Sequence, residues 1–154
     1  VFARTWQLVA REDQLARPGD YVTAEIAREP IVVVRGKDGV LRAFFNVCRH
    51  HAAAVMTEPC GNANRLRCPY HGWVYGLDGA LQSVTEFQGA RKFELVDHGL
   101  VPLEVSTWQG HVFVRIERPK TGATASFGEE MAPILALSHA PPGQPAPGSA
   151  ASLV

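Results

Sequence analysis

The chain has 154 residues, with 15 Lys plus Arg balanced by 15 Asp plus Glu, and 46% of it is hydrophobic. That length suits a single domain with a substantial core, and the charge balance gives no general attraction to nucleic acid or to an anionic membrane. No apolar run approaches the ~20 residues of a membrane-spanning helix, so a soluble protein without a membrane partner is expected.

The chain opens on Val1 rather than Met, and Phe2 to Leu8 reads as folded sequence rather than a basic, serine-rich leader. A processed or excised piece of something longer is therefore expected. Thr5 to Ala16 has room for a helical turn. Three short strands follow, Tyr21 to Ala27, Ile31 to Arg35 and Val40 to Phe45, rich in the Val, Ile and Phe that suit a pleated, half-buried surface. Arg28-Glu29-Pro30 separates the first two, and Lys37-Asp38-Gly39 supplies an Asp-Gly hairpin signal between the next two.

Further on, Arg65 to Arg67 and Trp73 to Leu77 read as short strands, with a turn at Asp78-Gly79. Val101 to Trp108 and His111 to Glu117 form a hairpin around Gln109-Gly110. The fold class expected for residues 1–118 is all-β. Beyond Pro119 the composition changes: Phe127 to Leu137 allows a short helix broken or kinked by Pro133. Ala140 to Ser152 holds only Ala, Pro, Gly, Ser and Gln, the composition of a linker or a disordered tail.

Between the strands lie two motifs that carry chemistry, Cys48-Arg49-His50 and Cys68-Pro69-Tyr70-His71, separated by the seventeen residues 51–67. Each offers one thiolate and one imidazole. Two Cys on one iron and two His on the other is the ligand set of a Rieske [2Fe-2S] cluster, which assigns Cys48, His50, Cys68 and His71 as cofactor and metal ligands. A closed zinc site could use the same residues, although zinc ligands usually come as Cys-x(2–4)-Cys and His-x(3–5)-His pairs and here each pair is mixed. Unrelated thiols and core histidines are the third reading. Cys60 is left alone, so no disulfide framework points to a secreted protein, and a reducing compartment fits better.

Imidazole is neutral and donates more weakly than thiolate, so replacing two thiolates by two imidazoles makes such a cluster easier to reduce. Each ligating histidine also keeps a second nitrogen for an outside partner. Pro69, Gly72 and Gly76 would shape loops whose N–H groups approach the sulfides, or serve as ordinary turn residues. Trp73 and Tyr75 are expected to pack beside the cluster and keep it dry. Arg49, Arg65 and Arg67 either form a positive face for an acidic electron donor or are solvated loop residues. His51 tunes or shields the cluster, or is an exposed loop histidine. His98 and His111 read as structurally satisfied, and no two of His51, His98, His111 and His139 lie at helical spacing beside an acid.

The stretch Asn46-Val-Cys-Arg-His-His through Cys68-Pro-Tyr-His-Gly-Trp-Val-Tyr-Gly-Leu-Asp-Gly-Ala-Leu resembles the N-terminal domain of Rieske non-haem iron oxygenase alpha subunits. Together with Gly99-Leu100-Val101-Pro102-Leu103, it is most similar to the choline monooxygenase branch, over about residues 5–118. The resemblance implies stacked antiparallel sheets with the cluster between two loops at one tip. It also implies an oxidoreductase in which this domain passes single electrons from a ferredoxin or reductase to a mononuclear non-haem iron. In that family two His and one carboxylate hold the iron in a separate catalytic domain, and members are often homotrimers. Residues 1–118 would then be the Rieske domain and 119–154 a linker toward that catalytic domain, with no catalytic residue in this chain. Cytoplasm or chloroplast stroma is the expected location. Respiratory Rieske proteins carry an extra, disulfide-linked Cys in each loop; here Ala53 and Tyr70 stand at those places, which implies a lower potential than theirs. A stand-alone Rieske-type ferredoxin is the alternative, although the apolar segment Phe127 to Leu137 favours a linker leading onward.

Overall fold

The computed structural model describes residues 4–85, 92–117 and 126–138, the last stretch with side chains for 126–134. It divides into two compact units, Val1–Arg118 and Pro119–Val154. In the first, β1 (Gln7–Arg11), β2 (Asp20–Ile26), β3 (Glu29–Arg35), β4 (Leu41–Phe45), β5 (Cys60–Asn62), β9 (Pro102–Trp108) and β10 (His111–Arg115) form a seven-stranded sheet. Its order is β1-β10-β9-β4-β3-β2-β5, with antiparallel pairing throughout. A smaller antiparallel sheet holds β6 (Leu66–Arg67), β7 (Val74–Tyr75) and β8 (Leu81–Ser83).

Strand β3 is the wall between two cores. Side chains alternate across a strand, and Ile31, Val32, Val33 and Val34 are all 0% exposed, so both faces of β3 are covered. Ile31 and Val33 pack with Val22, Ala43, Val112 and Val114. Val32 and Val34 pack with Tyr21, Phe44, Cys48, Leu66, Cys68, Trp73 and Tyr75. Burying each such aliphatic side chain stabilises by about 1.5–3 kcal/mol, and the second core holds the two motif cysteines among such residues.

Twin turns join β3 to β4 in the large sheet and β7 to β8 in the small one. Gly36 and Gly76 each donate to the carbonyl four residues on, Val40 and Ala80, and Asp38 and Asp78 each accept from the backbone N–H two residues on. Gly79 has φ +83°, and a Cβ there would lie 2.4 Å from the Phe44 ring. Only glycine permits that backbone and that approach. Gly76 therefore belongs to the β7–β8 turn, the ordinary turn role that was one of its two readings from sequence.

Strands β1, β5 and β8 are absent from the sequence reading. The segment expected to hold a helical turn contains β1 followed by a 3-10 turn at Glu12–Leu15. In the second unit, α1 (Phe127–Ser138) runs without a break through Pro133. Its start is a capping box: Ser126 Oγ accepts the Glu129 N–H at 3.3 Å, and a Glu129 carboxylate oxygen accepts the Ser126 N–H at 2.6 Å. The proposed tail and His139 lie outside the described residues. Among the described residues no helix is long and apolar enough to cross a membrane.

Candidate metal centre

The two motifs fold into loops of the same design. In the first, the Cys48 N–H bonds the Ala53 carbonyl at 2.8 Å and the Ala52 N–H bonds the Cys48 carbonyl at 3.0 Å. In the second, the Cys68 N–H bonds the Trp73 carbonyl at 2.9 Å and the Gly72 N–H bonds the Cys68 carbonyl at 3.0 Å. The residue four after each cysteine has positive φ, 58° at Ala52 and 74° at Gly72. Each turn thus folds back over its own cysteine.

Asn46, 3% exposed, closes the base of the first loop. Its Oδ1 accepts the N–H groups of Val55 (3.1 Å) and Met56 (2.9 Å), and its Nδ2 donates to the Met56 carbonyl at 2.7 Å. A buried side-chain amide must be paired in this way. On the second loop Thr85 Oγ1 donates to the His71 carbonyl.

Between the loops stand the four predicted ligands. Cys48 and Cys68 are 3% and 2% exposed, and the His50 and His71 rings lie with centroids 4.7 Å apart. Nδ1 of both rings is buried, and that of His71 makes no hydrogen bond among the described residues. A buried ring nitrogen without a partner is costly in a closed protein and satisfied by a metal ion. Two thiols in the same core complete a donor set that fits two irons ligated as Cys₂ and His₂.

The protonation states follow from the surroundings. Burial, and then the neighbouring His51 and His71, lower the pKa of His50, which favours the neutral ring that a metal needs. Burial raises the pKa of Cys68, opposed by the backbone amides of Tyr70 and His71 and reinforced by the adjacent Cys48. Metal loading must therefore expel a thiol proton at Cys68.

Aromatic side chains wall the site. The Trp73 ring, 1% exposed, stacks on His50 at 4.7 Å with 6° between planes. Tyr75 is fully buried; its hydroxyl lies 3.3 Å from Cys48 Sγ and accepts the Arg49 N–H at 3.0 Å. Burial and the Cys48 contact raise the pKa of its phenol, so it remains a donor.

Other candidate residues fall elsewhere. Nδ1 of His98 meets the Glu94 carbonyl and Nδ1 of His111 meets the Gln109 carbonyl, both at 2.9 Å, which makes them structural. Arg49, Arg65 and Arg67 are exposed, as is Cys60 on the edge strand β5. Sequence reasoning gave no role to Asn46 or Thr85. An Asn closing an apolar strand just before Cys48 was the available signal for the first; spacing held none for the second.

Comparison with known proteins adds to this geometry. The family described as Rieske [2Fe-2S] domain matches residues 5–94. The carnitine monooxygenase oxygenase subunit of Acinetobacter pittii (strain PHEA-2) is 38% identical over 121 residues, 79% of this chain and 33% of that protein. The chloroplastic choline monooxygenase of Amaranthus tricolor is 34% identical over 130 residues, 84% of this chain and 29% of that protein. Among solved structures, the apo form of the quaternary ammonium Rieske monooxygenase CntA aligns with a TM-score of 0.78 at 37% identity, covering 90% of this chain and 39% of its own. The chain spans about a third of the length of the curated relatives it matches.

Proposed function

The chain belongs to the Rieske [2Fe-2S] domain family, and we propose that within it Cys48 and Cys68 hold one iron while His50 and His71 hold the other through Nδ1. The observation that carries this ligand set is the pair of matched loops, which bring two buried ring nitrogens and two buried thiols into one place. The cluster supplies a one-electron store. The chain's own residues do the rest: Trp73 and the surrounding core exclude water, Tyr75 donates to a cysteine sulfur, and the half-buried His50 and His71 rings form the edge nearest solvent.

The domain then serves as the electron relay of an oxygenase. It accepts single electrons from a ferredoxin or reductase at the surface around His50 and His71, which the exposed Arg49 flanks, and passes them to a mononuclear non-haem iron in a catalytic domain that these residues do not include, within a homotrimer. Relatives named for carnitine, glycine betaine and choline oxidation resemble the chain to a similar degree. The substrate class is accordingly a quaternary ammonium compound, a broader assignment than choline alone. Residues 119–154 act as the linker toward that domain.

Acid-labile sulfide and metal content of anaerobically purified protein test the proposal. Iron and sulfide in equal amounts, with an EPR signal of low average g after dithionite, are expected; a colourless protein carrying zinc would refute it. His71→Cys should keep a cluster and lower its potential by more than about 100 mV, given the gap between Rieske and all-Cys centres. Downstream coding sequence with a two-His, one-carboxylate motif supports the oxygenase over a free carrier.

A further inference from the structure

The first loop carries one more imidazole than the proposed ligand set uses. His51 stands third after Cys48, just as His71 stands third after Cys68, in loops closed by the same two hydrogen bonds and the same positive φ at the next residue. The first loop therefore offers Cys-x-His and Cys-x-x-His at once. One ligating atom from each of His50, His51 and His71 lies within 4.8 Å of the others. The His51 ring sits 3.8 Å from His50 and 5.2 Å from His71, centroid to centroid. It is exposed and makes no hydrogen bond among the described residues that would have to break before it moved.

We propose that His51 is a reserve ligand, able to take the place of His50 on the iron it shares with His71. The inference rests on the ligand reading above. In the exchange one neutral imidazole nitrogen leaves the iron and another arrives, so no electron moves and the net charge of the centre is unchanged. The second loop has no equivalent reserve. Tyr70, the counterpart of His50 by position, carries a phenol in place of an imidazole and is 64% exposed. The two histidine ligands should therefore differ in how far they can be dispensed with, although by ligand count they are alike.

The test compares the whole chain with its His50→Ala, His51→Ala, His50→Ala/His51→Ala and His71→Ala variants, produced with ample iron and purified without air. Acid-labile sulfide per chain and the EPR signal of the reduced protein are read. His50→Ala should keep most of the wild-type sulfide and a two-histidine, low-g signal, and His51→Ala should match wild type. The double variant and His71→Ala should lose sulfide by about tenfold or more. His50→Asn, closer in shape, is measured beside His50→Ala; retention in either supports the proposal, and loss in both to the level of the double variant overturns it. Absence of sulfide from wild type would instead refute the ligand set itself, and the reserve role with it.

Discussion

Tyr75 hydrogen-bonds Cys48 across 27 residues of chain, with its hydroxyl oxygen 3.3 Å from Sγ. The same oxygen accepts the Arg49 N–H at 3.0 Å, which leaves the phenolic hydrogen to point at the sulfur. A donor to a ligand sulfur favours the reduced, more negative state of an iron-sulfur centre. Tyr75→Phe should therefore retain the cluster and lower its potential by roughly 40 mV, the equivalent of about 1 kcal/mol for one electron. A spectroscopic redox titration measures this, and an unchanged potential would refute the donor role.

Ala52 and Gly72 occupy equivalent positions at φ 58° and 74°, but only one of them is glycine. An L-residue in that region bears about 1–2 kcal/mol of strain, partly offset in glycine by the entropy of its unfolded chain. Ala52→Gly should stabilise by about 0.5 kcal/mol and Gly72→Ala destabilise by about 1 kcal/mol. The new Cβ at Gly72 would also crowd Arg67 Nη2 at 3.3 Å. Denaturant midpoints at constant slope read both changes.

Asn46 satisfies three backbone groups of the first loop with one side chain. Asn46→Ala leaves them unpaired in a buried place, at about 2–3 kcal/mol. Beyond the loss of stability, the variant should bind iron more weakly, because the loop that presents Cys48 and His50 is no longer held. Iron retained against a chelator is the readout; wild-type retention would show that Asn46 does not shape the site.

Asp20 accepts the Asn62 side-chain amide at 2.8 Å and the Arg17 N–H at 2.8 Å. Those bonds, the Asn62 amide first, lower its carboxyl pKa on folding. A carboxyl whose pKa falls on folding contributes stability in full above its unfolded value, about 3.9. That contribution fades as pH drops past 3.9 and is gone below the folded value. The stability gap between wild type and Asp20→Asn should hold constant above about pH 5 and shrink as pH falls through 4. A gap that does not change with pH would assign the bonds no electrostatic share.

The strands of five or more residues beyond the first were legible because apolar and β-branched residues repeat between Gly and Pro turn signals. Strands β5 (Cys-Gly-Asn) and β8 (Leu-Gln-Ser) were not, since neither holds the β-branched or aromatic residues that mark a strand, and they pair because β2 and β7 offer an edge. The predicted ligands were legible for the opposite reason, as their spacing within each motif is local. Their supports were hidden: Tyr75 reaches Cys48, and Asn46 reaches Met56, through folding rather than through spacing.

By itself the sequence determined the family and supplied the proposed donor atoms, because thiols and imidazoles at fixed short spacing keep their chemistry wherever the loop points. Tertiary structure alone decided that the two loops share one design, that a ring nitrogen of a third imidazole lies within 4.8 Å of those of His50 and His71, and that a tyrosine hydroxyl meets a cysteine sulfur. The physical reason is that such contacts exist only once β3 separates two cores and the Gly79 turn seats the small sheet against Phe44.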